Sequence, residues 1–273
     1  MLKSSLISAT CVAVFFVGAL AQSAYAGPGG GPAGDGFGVT RDSGGSLLSI
    51  VDPTREDDAA NFVFTLFGDQ NDTLVVGDWN GDGNKTLGLA REDNGALLWI
   101  RDFTGNGSLV YDLFGSAGDI PVVGDWDPAA AGDEIGVARP DIGSDTLEWI
   151  LRDNTPGTGF SRTLFGAATD VPVPGNWDSD ANNGDEFGVA RADSTALLWI
   201  TEGSGGFDYN LFGDSGDTPV QGDYTGDGNT NFGFSPPGSN VFTLDGASIE
   251  FHVFGDTTDD AFRSGTFGQP SPP

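Results

Sequence analysis

The amino-acid sequence predicts an all-β fold, a five-bladed β-propeller of four-stranded blades whose ring is closed by pairing of its N- and C-terminal strands. Three observations predict it. One pattern recurs five times, each copy holds four short apolar runs separated by turn residues, and the incomplete first and last copies complement one another.

The landmark of the repeat is a Phe-Gly pair, at Phe67-Gly68, Phe114-Gly115, Phe165-Gly166, Phe212-Gly213 and Phe254-Gly255, spaced by 47, 51, 47 and 42 residues. After each of the first four, an acidic turn leads into a strand ending "VVGDW", "VVGDW", "VPGNW" or "VQGDY". A polar loop follows, and then a second strand, "LGLAR", "IGVAR", "FGVAR" or "FGFSP". The third strand reads "ALLWI", "TLEWI", "ALLWI" or "NVFTL", and a fourth runs into the next Phe-Gly. Short runs bounded by Gly, Asp, Asn and Pro are the strand-and-turn signature. With 44 glycines and 15 prolines dispersed between them, helices are disfavoured. The first copy begins at Phe37 to Arg41 without its leading strand, and the last ends with Ala261 to Phe267. Setting Ser264 to Phe267 in register with Gln221 to Tyr224 supplies the missing strand and removes the sheet edges an open array would leave.

Residues 1–26 read as an export signal: Lys3 opens it, Leu6 to Leu20 is mostly apolar, and Ala24-Tyr25-Ala26 fits the small-x-small cleavage rule. The apolar run is short for a bilayer, so a membrane span in the mature chain is not expected. The expected domains are then a signal peptide (1–26), a Gly-rich leader (27–36), the five-repeat propeller (37–267) and a disordered tail (268–273), with a secreted or cell-surface location.

The whole chain carries 40 Asp+Glu against 11 Lys+Arg, a net charge of −29, and cleavage would remove Lys3 and no acid. Nucleic acid is excluded as an expected partner, because its binding draws on clustered Lys and Arg. So acidic a surface repels itself unless cations bridge it. The one cysteine, Cys11, falls in the signal, so disulfides and thiol chemistry are excluded from the mature chain.

The unit, "LFG" followed by "VVGDW", "GVAR" and a third-strand Trp, resembles the FG-GAP and VCBS type of extracellular propeller repeat over residues 37–267. The resemblance implies loops that bind calcium, in a family serving adhesion, carbohydrate-associated and structural roles.

The loops after the first strand of each blade carry oxygen donors at alternate positions. Asp78, Asn80, Asp82 and Asn84 form D-x-N-x-D-G, the beginning of a calcium loop, since calcium prefers six to eight oxygens and a turn glycine lets the chain wrap them. No bidentate Glu follows, so it is no EF-hand. Counterparts are Asp125, Asp127 and Asp133 in the next copy, Asn176, Asp178, Asp180 and Asp185 in the one after, and Asp223, Thr225 and Asp227 in the last complete loop. Two of these loops are interrupted, by "PAAAG" and "ANNG". Ordinary Asp-Asn-Gly turns are the competing reading. Repetition at one place in four copies favours structural calcium.

The six tryptophans occupy two slots. Trp79, Trp126 and Trp177 follow the Gly-Asp/Asn pair, and Trp99, Trp149 and Trp199 centre the third strand. Packing between blades accounts for both. Stacking of Trp99, Trp149 and Trp199 on sugar rings is the sharper alternative, because the outer copies place Ser49 and Thr243 there. Arg41, Arg91, Arg139 and Arg191 end the second strand in four copies and are expected to fork onto nearby Asp or carbonyl groups. His252, the single histidine, takes a slot filled elsewhere by Thr, Asp and Asn, which reads as a solvated surface.

No nucleophile elbow, second histidine or cysteine ligand set is present, so an enzyme is not expected. A binding or adhesion module for an extracellular protein or glycan fits best. A self-assembling surface or filament subunit accounts for the same residues. A glycosidase-like propeller needs blade-specific carboxylates over the tunnel, whereas most acids here recur in equivalent loops.

Overall fold

A computed structural model of the chain describes residues 25–26, 34–53, 55, 62–153, 159–180 and 182–263. Residues 1–24 of the expected signal, 27–33 of the leader and the tail lie outside them, as do Ser264 to Phe267.

The described chain is all-β, in five antiparallel sheets arranged as a five-bladed propeller. Blade 2 runs from Thr73–Gly77 through Asn84–Asp93 and Ala96–Asp102 to Leu109–Ser116. Blade 3 comprises Ile120–Gly124, Glu134–Asp141, Thr146–Arg152 and Phe160–Leu164. Blade 4 comprises Val171–Pro172, Gly188–Asp193, Ala196–Gly203 and Gly206–Asp214, and blade 5 Thr218–Pro219, Gly233–Ser235, Val241–Asp245 and Ile249–Val253. Blade 1 is shared by the two chain ends: Asp260–Arg263 pairs with Phe37–Ser43, followed by Ser46–Asp52 and Val63–Asp69. The backbone of Tyr25–Ala26 adds a short pairing to Asn84 and Lys85.

Ring closure is as expected, but its register differs by one residue. Arg263 lies opposite Phe37, as Val76 lies opposite Leu87 in blade 2. This makes Arg263, and not Ser264, the counterpart of Gln221. The physical reason is an anchor upstream of the strand. Asp259 takes both guanidinium bonds of Arg41, at 2.6 Å each, and caps the Asp256 amide at 2.8 Å, which fixes where the strand starts.

The same device recurs around the ring. Arg91 forks onto Asp72, Arg139 onto Asp119 and Arg191 onto Asp170, with bonds of 2.6–2.7 Å. Each of these carboxylates also accepts the amide N–H three residues before it, closing the turn after Phe-Gly. Charge-assisted bidentate bonds of this kind fix geometry as well as adding energy. The landmark glycines are required because Gly68, Gly115, Gly166, Gly213 and Gly255 all adopt φ between 79° and 102°, a region closed to most side chains. Blade 5 is the exception in the clamp. Pro236 occupies the Arg slot, and Asp217 keeps only its bond from Asp214, its carboxyl raised by burial.

One apolar cluster fills each gap between neighbouring blades. Val75, Trp99 and Ile135 join blades 2 and 3, and Trp149 and Val189 join 3 and 4. Trp199 with Phe232 joins 4 and 5, while Phe37, Val220 and Phe242 close 5 onto 1. Leu47, Leu74 and Leu87 do so between 1 and 2. A clustered core at the last junction is what makes the closure a packed interface.

Candidate functional site

Trp99, Trp149 and Trp199 are fully buried, and each indole N–H donates to a carbonyl of the next Phe-Gly: Phe114, Phe165 and Phe212, at 2.8–2.9 Å. Sugar stacking on them would require opening the blades, so the sharper reading of these residues is replaced by the packing one. His252 is also buried and not solvated: its ring lies 5.0 Å from Phe37 and 3.3 Å from a Glu250 oxygen. The Thr, Asp and Asn of equivalent positions are therefore a poor guide to this residue.

The acidic loops fold back on themselves. The Asp78 carboxylate accepts N–H bonds from Gly81, Asp82 and Gly83 at 2.8–3.1 Å, and Asp223 accepts from Gly226, Asp227 and Gly228 at 2.6–3.2 Å. Asn80 receives the Asp82 N–H at 3.0 Å, and Asp82 that of Asn84 at 2.9 Å. Bonds from the Asn80 side chain and the Asn84 backbone hold the Asp82 carboxyl below the usual range, and the Asn182 amide does the same for Asp180. Thr225 contacts Asp223 at 3.4 Å, Asp127 accepts from Ala129 and Asp178 from Asp180. The oxygens of the Asp78 and Asp223 loops therefore converge on their own backbone. Among the described residues, no three His, Cys, Asp or Glu side chains form a cage ready for a bare ion.

The interrupted loops are built differently. Glu134 reaches back to the amides of Trp126 and Asp127, and Glu186 to those of Trp177 and Asp178, at 2.9–3.3 Å. Asn231 does this for Tyr224 and Thr225. Burial pushes the Glu134 carboxyl up to about 7 and that of Glu186 to about 6.

Asp133 and Asp185 do not join their own loops at all. Each crosses to the preceding blade, where Asp133 accepts the Asp78 N–H at 2.8 Å and returns its own N–H to the Asp78 carbonyl at 2.7 Å. Asp185 clasps Asp125 likewise, at 3.0 and 2.8 Å, and Asp35 clasps Asp223. Counting three residues back from the second-strand glycine of each blade gives Asp35, Lys85, Asp133, Asp185 and Thr230. All five line one cavity of about 350 Å³. Because every blade contributes, the cavity lies on the ring axis, walled also by Asp125, Asn176 and Asp223. Lys85 bridges both oxygens of Asp35 at 2.9 Å. Burial, the first cause in each case, pushes Asp133 up to about 6 and Asp185 to about 7, with Asp133 itself among the charges raising Asp185. Asp35 and Lys85 escape a motif search because they look like leader and loop residues; the repeat count alone identifies them.

The rim of the propeller has the opposite character. The outermost strand of each blade is paired on one side only among the described residues. The residue before each Phe-Gly stands out on it: Leu66, Leu113, Leu164, Leu211 and Val253 are 63–66% exposed. Two residues earlier come Phe64, Tyr111, Tyr209 and Phe251, at 59–69% exposure, with Arg162 in blade 3. Alternation places both on one face of each edge strand.

No protein-family model matches the chain, and none of the curated proteins matches it either. Among the described residues no helix is long and apolar enough to cross a membrane.

Proposed function

We propose that the chain is an exported, non-catalytic binding module of the FG-GAP/VCBS type, stabilised by calcium, whose rim captures extended protein segments. The observation that carries this reading is the repeated exposure of an apolar pair on an unpaired edge strand. Soluble proteins normally shield such edges with charge, proline or a covering element. An extended segment added along the edge would gain main-chain hydrogen bonds and cover the alternating Leu and aromatic side chains. The net charge of −29 favours segments flanked by Lys or Arg. A protein segment fits better than a glycan, since the tryptophans that would stack on sugar are buried.

The test is selection from a displayed random-peptide library on the wild type and on a variant with Leu66, Leu113, Leu164 and Leu211 all changed to Lys. Peptides with alternating apolar residues should be enriched on the wild type and lost on the variant. Equal recovery on both proteins, or no enrichment, contradicts the reading. Repetition of the pair in four of the five blades also favours self-assembly, which sedimentation of the same two proteins distinguishes.

Calcium at the Asp78 and Asp223 loops is the stabilising part of the proposal. Two or three carboxylates brought together there repel one another, and an ion bound only by the folded loop adds stability by mass action, about 2.7 kcal/mol at a hundredfold excess over its dissociation constant. Chelator should lower the melting temperature, and Asp82→Ala should remove most of the increment of its own loop while leaving that of the Asp223 loop. If magnesium or sodium protects equally, the loops are turns and the ions only screen charge.

A further inference from the structure

We infer that the axial cavity is a second cation site, unlike the loops in kind, that holds one hydrated divalent ion between Asp125, Asp133, Asn176 and Asp185. The independent sign of a ligand is a pair of oxygens with nothing to bind. Asn176 is more than nine-tenths buried; its amide nitrogen donates to the Gly228 carbonyl at 2.9 Å, which fixes the orientation of the side chain, and its Oδ1 has no hydrogen-bond partner. Asp125 Oδ1, contributed by the adjacent blade to the same wall, is buried and unpartnered too. Buried polar atoms are almost always satisfied, so two orphans on one wall call for an occupant.

Charge selects the occupant. Five carboxylates line the cavity (Asp35, Asp125, Asp133, Asp185 and Asp223) against the single ammonium of Lys85, which is already engaged by Asp35. Water would satisfy the orphan oxygens but leave the repulsion between Asp133 and Asp185, whereas a divalent cation offsets both. The donors are all hard oxygens, the ligand type of calcium and magnesium. Because no three carboxylates close on a bare ion, and the cavity is far larger than one, the ion keeps part of its water shell and reaches the wall through it. The inference does not rest on ions in the exposed loops.

The experiment is a calorimetric calcium and magnesium titration of the purified protein carrying Asp82→Ala and Asp227→Ala, which disables the loops. One ion per chain should still bind. Asp185→Asn, which keeps an oxygen for the Asp125 amide, should weaken it about tenfold by removing a nearby charge, and Lys85→Gln should tighten it by a similar factor by removing a competing one. The opposite signs separate a site from a folding defect, and if Asp185→Asn fails to fold by near-ultraviolet circular dichroism, Lys85→Gln decides alone. No binding of either metal in the loop-disabled protein, or a Lys85→Gln variant that binds no tighter, overturns the inference. If the loops bind nothing in the wild type, the loop-disabled and wild-type titrations coincide and the axial result stands.

Discussion

The axis and the rim of this propeller are built from the same repeat and use it in opposite ways. At the rim, equivalent positions hold nearly the same residue, four Leu and a Val, at nearly the same exposure. At the axis, equivalent positions hold three Asp, a Lys and a Thr. The difference teaches where each kind of function is placed. A surface repeated five times suits a partner met several times over, while a single cavity reached by all blades suits one ligand and needs the symmetry broken.

Between the two lies the shared scaffold of clamps and indoles, and perturbing it should outweigh any change at either end. The largest effect is expected from deleting Asp260 to Pro273. That removes the strand paired to Phe37–Ser43 and opens an edge beside the cluster of Phe37, Phe242 and Phe254. A loss beyond about 4 kcal/mol, with aggregation, is expected in denaturant unfolding and light scattering. An unchanged melting temperature in a monomeric truncate would show that the ends do not close the ring.

Trp149→Ala comes next, at about 3–5 kcal/mol for a fully buried indole. Urea titration checks it.

The clamps supply an internal control. Asp119→Ala removes a cap and a two-bond Arg139 fork, while Asp217→Ala removes a cap alone. Discounting the fork because Arg139 is partly solvated, the first should cost about 2 kcal/mol and the second about 1. Equal costs would mean that the arginines orient the turn without stabilising it.

The smallest change in stability belongs to the rim, where Leu211→Lys should stay within about 0.5 kcal/mol while changing association.

The contrast also explains what was legible in the sequence. The strands, the blade count, the closure and the Asp–Arg forks all recur, so self-comparison reveals them. Aligning the glycine of Ser264 to Phe267 with that of Gln221 to Tyr224 sets the closing register one residue off, because Asp259 and Arg41 fix it. The axial residues were hidden for the reverse reason. Asp35, Lys85 and Thr230 share no chemistry with Asp133 and Asp185, and only folding brings them to one cavity. The exposed rim has no signature in Leu-Phe-Gly itself, because its outward face depends on the fourth strand having no further neighbour among the described residues.

The most direct test of repetition at the rim is calorimetric titration of one selected peptide into five single variants, Leu66→Lys, Leu113→Lys, Leu164→Lys, Leu211→Lys and Val253→Lys. Each should lose one site while the others persist, with the smallest loss at Leu164, where Arg162 stands in place of the aromatic partner. If one substitution abolishes binding and the other four leave it untouched, the rim carries a single blade-specific site, and the equivalence of the blades is structural alone.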